Sequence, residues 1–388
     1  MRFTLPFIVL SCAMANAVQA DEPSREAMIA RGVEILLDMQ EGETKAEWPY
    51  EGVYRVSRTI PVGYRVGGTA IAAAALLHAP GLADDAPRQA AIHRAIRFIA
   101  DSIDDHAMIH HVEATYDVRG WGYAYGLWFL AQAKAMKIIP DDLAPDVEKT
   151  MAFFIKGIEI TEIPSGGNSP GGGWNYARRG GFQGPGSSSP FMTGATLQAL
   201  FEAAKIGMTI NDAVIERGLA ALQASKMESG AYVYSGRATA RSSDGVPGAV
   251  GRMLIAESTL FLAGRATAAD VRGALDAFIV HWDWLEQRRA QDGTHSPPYG
   301  VAPYYFFFAH HYAAQAIELL PRHERAEYRR RVNALLLKVR EEGGGWNDRT
   351  FPRSRNYGTA MAMLALMMPD LPRPAGWSAK EASTSGAE

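Results

Sequence analysis

Residues 331–364 read RVNALLLKVREEGGGWNDRTFPRSRNYGTAMAML and contain one complete copy of a pattern that recurs along the chain. Val332, Leu336 and Val339 fall on one face of a helix, at a period near 3.6 residues. A loop rich in glycine and ending in tryptophan follows this helix. The segment 357–364 is then apolar on every side, which is typical of a helix buried all round. The stretch therefore predicts a helix–loop–helix unit.

This unit occurs six times, and a basic residue opens the first helix of each copy. The openings are Arg31, Arg94, Lys149, Arg217, Arg272 and Arg331. The period is about 60 residues, near the upper edge of known repeat lengths. A single unit cannot bury its own apolar face, so neighbouring units are expected to stack into one continuous core.

Two kinds of helix alternate along the chain. First helices carry one apolar face, as at Ile215, Leu219 and Leu222, whereas second helices such as 69–77 are apolar throughout. Six half-exposed and six buried helices predict an outer ring around an inner barrel. The expected fold is all-α, an α/α toroid of six helical hairpins closed as a double ring of about twelve helices. The run 231–234 supports a loop hairpin at most.

The composition fits one globular domain of 388 residues, with 47% hydrophobic and 21% charged residues. The net charge of -3 gives no electrostatic reason to expect nucleic acid as a partner. Cys12 is the only cysteine, so a mature chain that lacks it has no disulfide, zinc-thiolate site or thiol nucleophile.

The two ends of the chain predict processing and disorder. Residues 1–20 have the charged start, short apolar run and small residues of an export signal, which predicts a periplasmic or extracellular protein. A lipoprotein acylated at Cys12 is the alternative. The apolar run is too short for a membrane anchor, so no integral membrane segment is expected in the mature chain. We therefore assign 21–371 to a single toroid domain and 372–388 to a disordered tail.

The units resemble the prenyltransferase and squalene-cyclase repeat, the α/α toroid of triterpene cyclases, protein prenyltransferase β subunits and complement thioester domains. That repeat combines a basic residue, an aromatic–aliphatic pair, a glutamine and a Gly-x-Trp. This chain keeps parts of the pattern over roughly residues 24 to 370, as in Arg31-Gly32, Ile35-Leu36, Gln40 and Trp48, Arg94-Ala95 and Phe98-Ile99, Gly172-Gly173-Trp174, and Arg331, Leu335-Leu336 and Gly344-Gly345-Trp346. The resemblance implies the toroid fold.

The chemistry of that family does not transfer to these residues. The run Asp101-Ser102-Ile103-Asp104-Asp105 has the wrong spacing for the Asp-x-Asp-Asp motif of class II cyclases. Neither Asp84-Asp85 nor Asp141-Asp142 continues into the Asp-Asp-x-x-Asp of class I enzymes. The cysteine needed for a prenyltransferase zinc site or for a thioester is missing from the mature chain. No cofactor is predicted, and whether the protein is an enzyme stays open.

The central hole of a toroid is its natural ligand site, because loops and inner-helix ends converge there. Aromatic and charged residues at the starts of the second helices are the candidates. The predicted ligand-binding residues are Tyr64, Arg65, Trp121, Tyr125, Arg252, Tyr304, His311 and Tyr357. The candidate catalytic residues are Glu257, His111 and Asp117.

Each candidate has a structural alternative. Glu257, inside an apolar helix, is a candidate general acid or base, and a salt bridge to Arg252 or to a neighbouring helix is the alternative. His310 and His311 are equally compatible with core histidines bonded to the backbone. A metal site at His110, His111 and Glu113 is disfavoured, because adjacent residues seldom point the same way. The glycine-rich segment 163–190 is long enough for a functional insertion.

The leading hypothesis is an exported toroid that binds an apolar or amphipathic small ligand, terpenoid or lipid-like, in an aromatic-lined central cavity. The alternative from the enzyme class is a carbohydrate-active lyase or hydrolase that binds a glycan, using groups such as His111, Arg119 and Glu257. A protein-binding scaffold is the third reading, and its mark would be an exposed apolar patch.

Overall fold

The computed structural model describes residues 23–52, 55, 58–111, 118–165, 171–176, 186–293, 295, 297–302 and 304–378. Within these ranges the chain forms twelve α-helices and two isolated β-bridges, at Glu41–Glu47 and Lys226–Tyr232. The first helices of the six units are α1 Arg25–Asp38, α3 Ala86–Asp101, α5 Ala144–Thr161, α7 Asp212–Ala224, α9 Ala268–Glu286 and α11 Arg322–Lys338. The second helices are α2 Val62–His78, α4 Arg119–Ala135, α6 Pro190–Lys205, α8 Val246–Leu262, α10 Tyr305–Leu319 and α12 Arg355–Met367.

The second helices form a closed inner barrel. Each packs against the next around the ring, and α12 packs against α2 as well as against α10, which closes the circle. The first helices lie outside, and α1 packs chiefly on α12, so the two ends of the domain meet. The predicted α/α toroid is confirmed, and all six basic residues that open the repeats lie on outer helices.

Burial follows the two predicted kinds of helix. In the outer helix α7 only the apolar stripe containing Val214, Ile215, Leu219 and Leu222 is buried, whereas in α2 every residue from Val66 to Leu77 is buried. The inner helices can crowd together because small residues stand where backbones meet. A Cβ on Gly68 would lie 2.4 Å from the Trp48 carbonyl oxygen, so any larger residue would displace backbone.

A tryptophan fixes the outer-to-inner loop in three of the units. The indole N–H groups of Trp48, Trp174 and Trp346 donate to the carbonyls of Leu36, Ile158 and Leu336 near the ends of their outer helices, at 2.6, 2.7 and 3.0 Å. The backbone N–H of each tryptophan donates to an inner-helix threonine, namely Thr69, Thr193 and Thr359. The repeated sequence pattern therefore has a repeated physical role, because it ties both helices of a unit to the loop between them.

The segment 372–378 differs from the predicted disordered tail. Ala375 is buried, the Trp377 backbone N–H donates to the Leu262 carbonyl at 2.9 Å, and the Trp377 ring stacks on Phe201 with centroids 5.9 Å apart. An apolar side chain in a Pro- and Ser-rich segment is enough to anchor it to the end of the barrel. Residues 379–388 and the predicted signal 1–20 lie outside the described ranges. Among the helices described, none combines the length and the apolar character that crossing a membrane requires.

Candidate active site

The starts of the six inner helices meet at one end of the barrel, which we call the mouth. The loops that reach it follow the outer helices, so they are the tryptophan-anchored loops of the repeat. Among the described residues, no N-cap side chain bonds the start of an inner helix, whereas the outer helices α1, α3, α7 and α9 have such a cap. Helix starts carry partial positive charge on their N–H groups, which favours oxygen-rich or anionic groups there.

Five buried aromatic residues form one side of the mouth, and we call them the mouth cluster: Tyr50, Tyr64, Trp121, Tyr125 and Tyr357. The Tyr50 ring touches Tyr357, Tyr64 and Trp121, with centroids 4.7, 5.4 and 5.6 Å apart. Trp121 also contacts Tyr125 at 5.1 Å. Four of these residues were predicted from sequence to bind ligand, and the structure brings all four together.

Asp348 lies beside this cluster and is the most unusual group at the mouth. Its side chain has no exposed surface, and neither carboxyl oxygen accepts a hydrogen bond of ordinary geometry from the described residues. Burial raises the pKa of Asp348 to about 8, although the charge of Arg349 and the nearby Tyr50 hydroxyl pull it down. The carboxyl is therefore protonated at neutral pH, which is the form that can donate a proton.

The loop carrying Asp348 is held on both sides. Trp346 is anchored to Thr359 of α12, and the Asp348 carbonyl accepts from the Ala290 N–H at 3.0 Å. The Arg349 guanidinium donates to the Asp292 carbonyl at 2.9 Å, while its Nε atom has no acceptor of normal geometry. A rigid loop thus holds several polar groups without satisfying them, an arrangement that is rare except at functional sites.

A second group of polar aromatic residues lies on the α8–α10 side of the mouth. The Tyr304 hydroxyl lies 3.2 Å from His295 Nε2, and His295 Nδ1 lies 2.6 Å from the Gly300 carbonyl oxygen. The Tyr234 ring contacts His295 edge-on at 4.6 Å. Arg252 is buried beneath them, 5.7 Å from the Tyr234 ring, and donates to the carbonyls of Tyr232 and Gly248. Tyr304 and Arg252 were predicted site residues, so both sides of the mouth contain predicted positions.

The axis of the barrel below the mouth is nearly filled. The space lined by Tyr125, Trp128, Gln198, His311 and Gln315 measures about 20 Å³, room for about one water molecule. Gln198 and Gln315 exchange two hydrogen bonds of 2.9 Å across it. Burial lowers the pKa of His311 to about 4, so this predicted ligand residue is a neutral core histidine. At this level the inner side chains pack on each other.

Two of the three predicted catalytic residues, Glu257 and His111, lie among the described residues, and neither makes a described contact with the mouth cluster. Glu257 lies between the inner and outer rings, where its carboxylate accepts from Lys226 Nζ at 2.7 Å and from the Tyr232 hydroxyl at 2.9 Å. This is the salt-bridge alternative, with Lys226 as the partner instead of Arg252. His111 is exposed, and its ring contacts that of His110. Asp117 and Glu113 lie outside the described residues.

Two further predicted positions have structural partners. The Arg65 guanidinium forms a bidentate pair with Glu47 at 2.6 and 2.7 Å, which also raises the pKa of Arg65. His310, considered as a core histidine, accepts from the Trp282 indole and bonds the Phe306 carbonyl. In the described part of the chain no cluster of three or more His, Cys, Asp or Glu side chains could hold a metal ion.

Asp348 and His295 were missed by the sequence analysis. Both stand in loops between ordinary polar residues, and neither belongs to a periodic pattern. The available signal was the position of Asp348 two residues after the loop tryptophan, since that tryptophan leads the chain to the mouth. His295 offered no comparable signal.

Comparisons with known proteins identify the fold. No protein-family model matches the chain, and no curated protein sequence matches it. Among solved structures, an inactive variant of the α-1,6-mannanase GH76A of Salegentibacter sp. HEL1_6, in complex with α-1,6-mannotriose, matches with a TM-score of 0.58 at 11% identity, covering 89% of this chain and 100% of that chain. The Lin0763 protein from Listeria innocua matches with a TM-score of 0.55 at 11% identity, over 90% of this chain and 97% of that one.

A variant of the type II terpene cyclase MstE from Scytonema also matches, with a TM-score of 0.51 at 13% identity, covering 89% of this chain and 98% of that chain. At such identities the likeness is one of fold. These α/α toroids confirm the architecture but not the narrower prenyltransferase and squalene-cyclase assignment.

The predicted binding of a terpenoid or lipid-like ligand in a central cavity is wrong. Structures similar in fold include α-1,6-mannanases, two of which hold an oligosaccharide, and this agrees better with the carbohydrate alternative. The interior gives the physical reason, since the axial space lined by His311 and Gln315 is too small for any such ligand. The inner aromatic residues were correctly predicted to converge, but they fill the hole instead of lining it.

Proposed function

We propose that this protein is a glycan-cleaving enzyme, a glycoside hydrolase whose active site lies at the mouth, with Asp348 as the general acid. The observation that carries the proposal is the buried Asp348 carboxyl, which accepts no hydrogen bond of normal geometry from the described residues although the Tyr50 hydroxyl lies close to it, and whose pKa burial raises to about 8. The similarity in fold to an α-1,6-mannanase supports the choice of a carbohydrate substrate.

The chemistry of glycosidic cleavage suits this group. The leaving oxygen must receive a proton as the bond to the anomeric carbon breaks, and an acid with a raised pKa is the usual donor. Burial supplies that raised pKa here, so Asp348 holds its proton through neutral pH. Arg349 and the Tyr50 hydroxyl, which lower the pKa of Asp348, would stabilise the carboxylate left after transfer.

The surroundings suit a sugar better than a hydrocarbon. The mouth cluster brings together Tyr and Trp side chains, which are residue types that stack on sugar rings, and the tyrosine hydroxyl groups can exchange hydrogen bonds. Two of those hydroxyls, of Tyr50 and Tyr125, are buried without a partner of normal geometry in the described structure. The uncapped inner-helix starts add further donors for hydroxyl oxygens.

Two finer sequence predictions belong with this proposal. Export through a cleaved signal would place the enzyme in the periplasm or outside the cell, where polymeric glycans occur. The resemblance to the prenyltransferase and squalene-cyclase repeat would then reflect a shared way of building the loop between the two helices of a unit. In this chain that loop is held by hydrogen bonds from the backbone N–H of Trp48, Trp174 and Trp346 to inner-helix threonines.

The test is a screen of the purified protein against mannans, other cell-wall glycans and algal polysaccharides, with reducing ends measured. We expect one class to be cleaved and Asp348→Asn to lose roughly 10³-fold or more in kcat, because a missing general acid costs about 10² to 10⁴. Asp141→Asn is the matched control, since Asp141 is exposed in the α4–α5 loop at the other end of the barrel.

Binding separates a catalytic role from a structural one. Calorimetry should give Asp348→Asn a glycan affinity within a few-fold of wild type, because Asn copies the protonated carboxyl in shape. An active Asp348→Asn enzyme would remove Asp348 from the mechanism. A wild type that neither cleaves nor binds any glycan in the panel would overturn the proposed function.

A further inference from the structure

The pair formed by Tyr304 and His295 has a defined hydrogen-bond direction. The Gly300 carbonyl can only accept, so His295 Nδ1, 2.6 Å away, carries the ring proton. His295 Nε2 is then an acceptor, and the Tyr304 hydroxyl 3.2 Å away is its donor. The imidazole is thereby fixed in the tautomer that can take a proton from the tyrosine.

The groups around His295 keep it neutral. Partial desolvation lowers the pKa of His295, which is exposed at the mouth, the hydrogen bond to the Gly300 carbonyl raises it, and the positive charges of Arg252 and Arg288 lower it further. Tyr234 contacts the ring at 4.6 Å, and Tyr305 lies 6.2 Å from it. No carboxylate is among the groups that shift this pKa, so the Gly300 carbonyl is the group among them that favours the imidazolium.

Tyr304 connects this pair to the mouth. It stands immediately before α10, and its ring contacts Phe191 in the first turn of α6 at 5.6 Å and Tyr305 at 4.5 Å. The loop that leads to His295 also holds the loop of Asp348, because Ala290 and Asp292 bond Asp348 and Arg349. The acid and the Tyr304–His295 pair are therefore positioned by the same two facing loops.

We propose that Tyr304 and His295 act as the proton-accepting half of the active site and activate the water that cleaves the glycan. This inference rests on the proposed function and adds a base to its acid. As the water oxygen bonds to the anomeric carbon, its proton passes to Tyr304 Oη while the tyrosine proton passes to His295 Nε2. The glycosidic C–O bond breaks, and the leaving oxygen takes the proton of Asp348. One water is consumed, and proton return from imidazolium to carboxylate restores the enzyme.

The experiment measures kcat and kcat/KM across pH for wild type, His295→Gln and Tyr304→Phe on the glycan that wild type cleaves. We expect kcat to fall roughly 10²-fold or more in both variants, with KM changed little, because the lost group acts on the water. The wild-type rate should decline at acid pH as His295 becomes protonated, and this decline should vanish in His295→Gln.

Controls keep the result specific to the pair. His323→Gln changes an exposed histidine at the start of α11, and Tyr328→Phe removes a hydroxyl bond to Asp276 on the outer ring. Both should leave kcat unchanged. Nitrogen NMR should place the His295 proton on Nδ1 and should record a shift of Nε2 in Tyr304→Phe, a readout that needs no activity.

The outcomes separate the two proposals. If wild type cleaves a glycan and His295→Gln keeps its rate and its acid limb, the pair is not the base, whereas Asp348 keeps its role. If the product is an unsaturated sugar and takes up no oxygen from labelled water, the pair removes a carbon-bound proton and water activation is wrong. If wild type cleaves nothing, the proposed function fails and this inference fails with it.

Discussion

Asp348 owes its raised pKa to its buried position in the fold and not to its neighbours in sequence. Asn347 and Arg349 are ordinary loop residues, and a carboxyl between them in water would titrate near pH 4. The fold removes it from solvent beside Tyr50 and Tyr357, whose own pKa values burial raises well above 10. Burial outweighs the groups that favour the charged carboxylate, namely Arg349, Arg289, a backbone N–H and the Tyr50 hydroxyl.

This residue should make stability fall with rising pH. The folded pKa of Asp348, about 8, lies above its unfolded value near 4, so the folded state binds the extra proton between those limits. We expect the Asp348 contribution to the free energy of unfolding to decline from pH 5 to pH 8.5, by roughly 5 kcal/mol at most, whereas His310 and His311 raise the free energy of unfolding up to about pH 6.5. Urea denaturation at several pH values measures it.

Asp348→Asn isolates that effect from other titrating groups. Asn cannot ionise, so the variant should match wild type near pH 5 and be the more stable protein near pH 8.5. Burial lowers the pKa values of His310 and His311 to about 4. The stability that these neutral histidines contribute is therefore lost as the pH falls toward 4. Because both proteins contain these histidines, the difference between them reports Asp348 alone. Parallel curves would mean that Asp348 is ionised in the folded protein.

At the scale of elements, the loop tryptophan decides how each hairpin closes. Its indole satisfies a carbonyl near the end of the outer helix, a position where backbone acceptors otherwise lack partners. Its backbone N–H and carbonyl exchange hydrogen bonds with one threonine of the inner helix, as Trp174 does with Thr193 at 3.0 and 3.2 Å. The threonine is therefore as necessary to the repeat as the tryptophan.

Thr193→Val should destabilise the protein by about 1–3 kcal/mol, because it leaves the buried Trp174 N–H without its acceptor while keeping the side-chain shape. Thermal unfolding followed by circular dichroism measures the loss. Thr196→Val, one turn along α6 at a buried position that bonds no loop residue in the described structure, should cost less. Equal losses in the two variants would assign the effect to the helix surface and not to the loop tie.

At the scale of the whole molecule, the ring has no free end. Contacts between α1 and α12 replace the exposed terminal repeats of an open solenoid. Arg25 Nε donates to the Leu366 carbonyl at 2.7 Å, and Arg25 also pairs with Asp370, so the first and last helices are bonded directly. Closure makes every unit an interior unit.

A closed ring predicts tolerance of circular permutation. Joining residue 371 to residue 23 by a short glycine linker and opening the chain at Gly81 should give a folded protein of similar helix content, since residue 23 and Gly81 are exposed. Deleting residues 322–378 should instead abolish cooperative unfolding, because α1 and α10 lose their partners. A deletion variant that unfolds cooperatively would indicate that the units are stable as an open stack.

The sequence by itself determined the architecture. The spacing of apolar residues along each helix can be recognised even where a copy of the repeat has lost parts of its motif. Helices with one apolar face alternate with helices that are apolar throughout, a basic residue opens each of the six units, and small residues begin the inner helices. A double ring buries the apolar surface of both kinds of helix. Of the eight ligand-binding residues that the sequence predicts, Tyr64, Trp121, Tyr125 and Tyr357 have their rings in contact at the mouth.

Only the tertiary structure decided whether the inner aromatic side chains line a central cavity or fill the axis of the barrel. Their packing depends on side-chain rotamers and on the spacing of the helices, and the periodicity of the sequence specifies neither. It also decided the environment of each ionisable group. Glu257 and Asp348 are both buried acids, yet Glu257 pairs with Lys226 Nζ at 2.7 Å, whereas burial raises the pKa of Asp348 to about 8. That contrast arises from contacts between residues distant in sequence, which is why the candidate acid could be identified only in the folded chain.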